Sequence, residues 1–334
     1  MLHFSFSGKS ILICSFLLFS SSPFIFAQRP FRHFNTQQLR QFVIKENPSY
    51  KENLVVMENS ISNLASRGDN GGLLRIPIIF HIVGAKGQLV PDEGQINFQL
   101  EVLNKAFGNY SPETMEYPNA DVEKFISSGA SIGIEFYLPS KIGEITGVLK
   151  PSINAITVDR NSWGLFNEIQ DPQKGGQAAI EPDKIINVWV GQLVDDNAGY
   201  AYLPGTPGSI DGIVIDQDFF GNEKGTAKIP YDQGKTLVHL MGTYLGLYDL
   251  WNEEEPCKDD LVEDTPLHDG PSISVATDKN SRVVCFCPGT PTAMFMNFMD
   301  NTDDAQLSMF TEGQKKRMRA VLLSDGLRNG LPKK

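Results

Sequence analysis

The sequence predicts an α+β fold, a mixed body of strands and helices followed by a smaller, loop-rich C-terminal part. Strand-like and helix-like runs alternate between Leu73 and Ile215. A long amphipathic helix then runs from Gly234 toward Asp249 and stops at Gly246. Beyond Asp249 the chain is acidic and dense in turn residues. With 334 residues, 41% hydrophobic and 21% charged, the chain can bury a sizeable core. Its formal net charge of -11 lacks the basic footprint that nucleic acid requires, and serves solubility or local cation binding instead.

In chain order, Lys9 precedes an apolar run from Ile11 to Phe26, and Ala27 offers a small residue for cleavage. This pattern reads as a signal peptide over residues 1–27, so the chain is expected to be secreted, with no membrane anchor. Cys14 lies inside the apolar run and is discounted as a lipid attachment point. Residues 28–72 read as a pro-segment or N-terminal extension. Helical periodicity is weak over Gln38–Ile44 and Leu54–Leu64, and Arg67–Gly72 reads as a linker. The segment holds no cysteine, so it cannot place a thiolate on a metal. The body spans residues 73–334, an upper subdomain over 73–248 and a lower one over 249–334.

Leu74–Val83 is a strand, and Pro77 assigns it to a sheet edge or a bulge. His81 within it reads as a hydrogen-bonded strand residue and not as a ligand. Asp92–Phe107 is a helix with Ile96, Leu100, Leu103 and Phe107 on one stripe. Ile132–Leu138 alternates as a strand, and Ile185–Val190 is apolar enough for a central one. Asn197–Gly205 reads as a loop, and Ser209–Ile215 as a short strand. In the acidic stretch, Asp259, Asp260, Glu263 and Asp264 are hard oxygen donors that suit calcium, or else a solvated loop. Met294–Met299 is apolar and ends in a turn at Asp300-Asn301. The last helix runs from Thr311, its N-cap, to Leu323, with Arg317 and Arg319 on its solvent face. Three cysteines follow the signal peptide, and an oxidising compartment predicts a disulfide of Cys257 with Cys285 or Cys287. Cys285 and Cys287 are too closely spaced to pair easily. The odd cysteine is then a free thiol or the remnant of a lost bridge.

A zinc protease helix of the form H-E-x-x-H-x-x-G-x-x-H sets two imidazoles one turn apart on one face. A glutamate acts as base, and a third ligand swings back after the glycine. The segments Gly234–His239, Gly246-Leu247-Tyr248, Asp264-Thr265-Pro266, Asn297–Asp300 and Phe310–Met318 occur here in that family's order. With Leu103-Asn104, Asn187-Val188-Trp189 and Gly199-Tyr200-Ala201, they resemble the pappalysin-like metalloproteases, a branch of the metzincins, from about Arg75 to Ala320. The resemblance implies a metzincin fold: a mixed sheet, two long helices, a cleft and a small C-terminal subdomain. It also implies a pro-segment, a zinc site, structural calcium in some members, and Met299 as the methionine of the turn beneath the metal.

The departures from that pattern decide the function. His239 matches the first zinc ligand. Leu240 stands where the family has its catalytic glutamate, Thr243 at the second histidine, Asp249 at the third, and Asn301 at a transition-state tyrosine. Gln306 stands where members often carry a cysteine. Leucine cannot accept a proton, and a general base is worth about 10²–10⁴ in rate. Only His239 and Asp249 remain as zinc donors, so zinc is expected to bind weakly or not at all. Thr243 is free to bond back to the carbonyl of His239. The leading expectation is a secreted pseudoprotease that binds a peptide or protein in the cleft. The alternatives are an active zinc endopeptidase with a rebuilt site, drawing on His81, His268, Glu263 or Asp264, and a structural component of an exported assembly.

Overall fold

The computed structural model describes residues 32–67, 71–111, 120–140, 153–252, 254–273 and 284–332. The signal peptide and part of the expected linker fall outside the described residues. Among the described residues, no helix is long and apolar enough to cross a membrane.

The body is a sheet in the order β1-β6-β7-β5-β2-β3, with β4 also paired to β2. The strands are β1 (His33–Phe34), β2 (Leu74–Ala85), β3 (Ile134–Tyr137), β4 (Ile153–Val158), β5 (Ile186–Gly191), β6 (Asn197–Ala201) and β7 (Ile213–Asp216). All pairings are parallel except β6 with β7. Strand alternation divides the core in two. Val188, Val190, Ile213 and Ile215 face one side, with Leu103 and Phe107 of α3 (Glu93–Phe107) and Leu237 and Met241 of α5 (Lys235–Tyr244). Trp189 and Val214 face the other, with Leu39 and Val43 of α1 (Thr36–Glu46) and with Tyr50 at the start of α2 (Ser49–Arg67).

Several expectations are corrected. β2 is central, not an edge, because it pairs with β5 on one side and with β3 and β4 besides. Pro77 is tolerated because it precedes Ile78, the first residue in register with β5. Asn197–Gly205 opens as strand β6 and not as a loop. Gly199 hides that strand in the sequence and permits it in the fold. Its φ is 145°, and a Cβ there would lie 2.5 Å from the Val214 carbonyl oxygen. Within the expected pro-segment or extension, β1, α1 and α2 pack residues onto the core.

α4 (Ala120–Ser127) and α6 (Glu312–Leu322) complete the helices, with a small hairpin of β8 (Val284–Cys287) and β9 (Thr290–Thr292). Thr311 and Gln314 form a capping box at the start of α6. Arg317 and Arg319 are buried, contrary to the amphipathic reading. Arg317 bonds both carboxylate oxygens of Glu58 on α2 and the Gly246 carbonyl. Arg319 donates to the carbonyls of Gly72, Ile132 and Gly133. Both guanidiniums satisfy chain that would otherwise be buried with unpaired oxygens. The disulfide joins Cys257 to Cys287, and Cys285 is a buried free thiol.

Candidate metal cradle and its occupant

α5 places the candidate residues. Gly234, at φ 72°, starts the helix, and Gly246, at φ 94°, turns the chain so that Asp249 comes back toward His239. The His239 ring is fully buried. Its Nδ1 lies 2.9 Å from the Phe298 carbonyl oxygen, which can only accept, so Nδ1 carries a proton. Its Nε2 lies 3.0 Å from Asp249 Oδ1. The structure therefore brings His239 and Asp249 together. Thr243 turns away, its hydroxyl 3.5 Å from the His239 carbonyl. Leu240 is fully buried, and a Cβ added at Gly199 would come within 2.8 Å of Leu240 Cδ1. It packs beneath β6 as core. Met299 lies directly under the helix, where a Cβ at Gly242 would approach its Sδ to 2.5 Å.

The N-terminal segment fills the cleft. β1 pairs with β6, and Phe34 stacks on His239 with ring centroids 4.0 Å apart and planes 6° from parallel. Arg32 is fully buried. Its guanidinium pairs with Asp304 at 2.9 Å and donates to Asn301 Oδ1 at 3.0 Å, the Thr236 hydroxyl and the Thr302 carbonyl. Asn301 returns a bond from its amide nitrogen to the Arg32 carbonyl at 2.9 Å. Burial pushes the Asp304 carboxyl upward, and Arg32 with the Gln233 and Lys235 amides pulls it back. A cavity of about 30 Å³ remains among Arg32, His33, Phe34, Asp249, Trp251 and Asn301.

That cavity holds little more than one water or ion. Zinc in a catalytic site takes three protein ligands and an open position. Among the described residues, the one group of three close histidine, cysteine or carboxylate donors is Asp269, Cys285 and Cys287, so His33, which lines the same cavity, does not complete a three-donor group with His239 and Asp249. The residues present do not make a three-ligand zinc site. Both ring nitrogens of His239 are hydrogen-bonded, Nδ1 to the Phe298 carbonyl and Nε2 to Asp249.

The other sequence candidates lie elsewhere. His81 is held by Gln177 and Asn187 and stacks on Trp189. His268 is buried, its Nε2 accepts from the Met294 amide, and burial holds it below its ordinary range. The expected calcium donors do not converge. Asp264 caps the start of α6 through Thr311 and Gly313, Asp260 accepts from Val262 and Thr265, and Asp259 from Leu261. Glu263 joins no convergent group among the described residues. Sequence reasoning missed Arg32 and Phe34. Their only signal is a basic and an aromatic residue just ahead of the first helix.

A relative in Arthroderma benhamiae, an extracellular metalloprotease, is 32% identical over 279 residues, covering 81% of this chain and 85% of its own. The family described as Pregnancy-associated plasma protein-A, peptidase M43, matches residues 174–323. This chain belongs to the pappalysin family. An extracellular metalloprotease of Arthroderma gypseum is 27% identical, covering 66% of this chain and 82% of the relative. The pappalysin fold matches mature mirolysin of Tannerella forsythia, solved with a cleaved peptide, at TM-score 0.67 and 29% identity, over 78% of this chain and 96% of that one. A promirolysin mutant from the same organism matches at TM-score 0.73 and 27% identity, over 90% and 97%. The fold is thus that of a metzincin-type protease, and the family is one of metallopeptidases, which implies zinc for the family.

Proposed function

We propose that this chain is a secreted pappalysin-family pseudoprotease whose cleft is closed by its own N-terminal segment, and which acts by binding. The carrying observation is Arg32, fully buried and bonded on both its backbone and side chain by Asn301, the residue that replaces the family tyrosine. Leu240 in the core and the two-donor cradle of His239 and Asp249 support the same reading. A peptide partner that adds to β6 must first displace β1. Metal analysis of the purified protein tests the proposal. The expected result is zinc far below one equivalent, with no cleavage of casein in the presence of calcium. Stoichiometric zinc together with chelator-sensitive cleavage would sink it.

One observation favours a second reading, an active enzyme in its latent form. The match to promirolysin covers more of this chain than the match to mature mirolysin. The β1–α2 segment then corresponds to a pro-segment whose removal would open the cleft. Limited trypsin digestion followed by zinc addition distinguishes the two. The pseudoprotease stays inert after excision, whereas a latent enzyme gains activity.

A further inference from the structure

The roof of α1 and α2 over the cleft encloses a second, much larger space. A chamber of about 550 Å³ lies between them and the segment from Thr243 to Leu261. That volume is in the range of sites that hold a small organic ligand, about 300–1,000 Å³. Ile44, Leu54 and Val55 form its roof, and Leu203, Leu247 and Trp251 part of its floor. Val55 is 59% exposed and Leu261 54%, so apolar side chains flank an entrance open to solvent.

The charges on the wall differ in how they are engaged. Glu58 is held by Arg317 and by the Tyr248 hydroxyl. Asp249 is held by His239, Asp259 by the Leu261 amide and Lys258 by Glu255, while Asp260 accepts from Val262 and Thr265 on Oδ1 and leaves its buried Oδ2 without a partner among the described residues. Arg40 and Lys51, on α1 and α2, form no ion pair among the described residues. The Arg40 guanidinium meets only the face of Tyr248, 5.5 Å from the ring centroid. An apolar chamber with two uncommitted cations complements a ligand with an apolar body and an anionic head.

We propose that this chamber is a binding site for an apolar-tailed carboxylate of the medium- or long-chain fatty-acid class. The assignment rests on the reading that α1 and α2 stay on the folded protein, since they supply the roof and both cations. The ligand needs neither zinc nor hydrolysis.

The test titrates the full chain with decanoate, decanol and decylammonium, following Trp251-sensitive fluorescence and calorimetry, with intact mass recorded on the same sample. Decanoate is expected to bind at one site, more tightly than decanol, and decylammonium least. Arg40→Gln with Lys51→Gln should weaken decanoate about tenfold and leave decanol unchanged within about twofold, the scale of two partly exposed charge contacts. Val55→Trp, at an exposed helix position that folding tolerates, should weaken both by narrowing the chamber. Retained helices with no decanoate binding, or decylammonium binding as tightly as decanoate, would overturn the chamber assignment alone. An intact mass showing loss of α1 and α2 would overturn it together with the reading of a permanently closed cleft.

Discussion

Gly242 and Leu240 sit two residues apart on α5 and show opposite histories of the two surfaces that helix serves. Gly242 rests on Met299, so closely that any side chain would press on the sulfur. The floor of the family site is therefore intact. The ligand frame on the same helix has changed its chemistry. Leu240 has joined the core, Thr243 bonds its own helix, and only His239 and Asp249 still face each other. The contrast teaches that the helix is held by packing below and by the N-terminal segment above. Buried polar pairs fix the helix from both sides, with Arg32–Asp304 above and His239–Phe298 below.

The sharpest way to break this comparison is Leu240→Glu. If Leu240 is core, a carboxylate there lacks a partner, and the change should cost about 3–5 kcal/mol in urea unfolding. A cost under about 1 kcal/mol would mean the position still faces a wet cleft, by the range usual for surface changes. Next comes Arg32→Met, which keeps the stem but strands Asp304. The expected loss is about 3 kcal/mol, with α1 and α2 becoming more sensitive to protease. A double-mutant cycle with Asp304→Asn should show coupling, because the two groups touch. Gly242→Ala should cost less, about 1–3 kcal/mol, since the methionine it meets can bend away. In a Met299→Ala background the same change should be nearly neutral. If it is not, the floor is less closely packed than its geometry indicates.

The scaffold was legible in the sequence because its signals are local. Asp92 caps α3 as its position suggests, and Thr311 caps α6. The approach of Asp249 to His239 was also legible, through the family frame and Gly246. What stayed hidden depends on distant partners. Arg32 lies 269 residues from Asn301, and a lone arginine in a polar segment reads as solvated. Arg317 and Arg319 were misread for the same reason, since carbonyls and Glu58 far along the chain make their burial affordable. β6 was missed because Gly199 lowers strand propensity at the point where the neighbouring backbone comes closest. Of the four acidic residues read as calcium donors, three make local turn or cap bonds that the sequence did not show.

The last effect concerns the sheet away from the cleft, and the titration behind it leaves stability at low pH unchanged. Asp216, at the end of β7, is pushed by burial from 3.8 to about 7, against the pull of the Leu193 and Asp218 amides. The folded state thus holds a proton that the unfolded chain releases at lower pH. This group's contribution is fully present below about pH 4, falls as pH rises toward 7, and is level above that. The shift is already net of the amides that stabilise the carboxylate, so the swing across that window is on the order of 4 kcal/mol at most. Asp216→Asn should be somewhat less stable at low pH, because its amide group cannot accept every donor. It should also lose the decline between pH 4 and 7. Thermal melts across that window check this. If the variant keeps the wild-type slope, the decline arises at other buried carboxylates, such as Asp211, which burial raises to about 6.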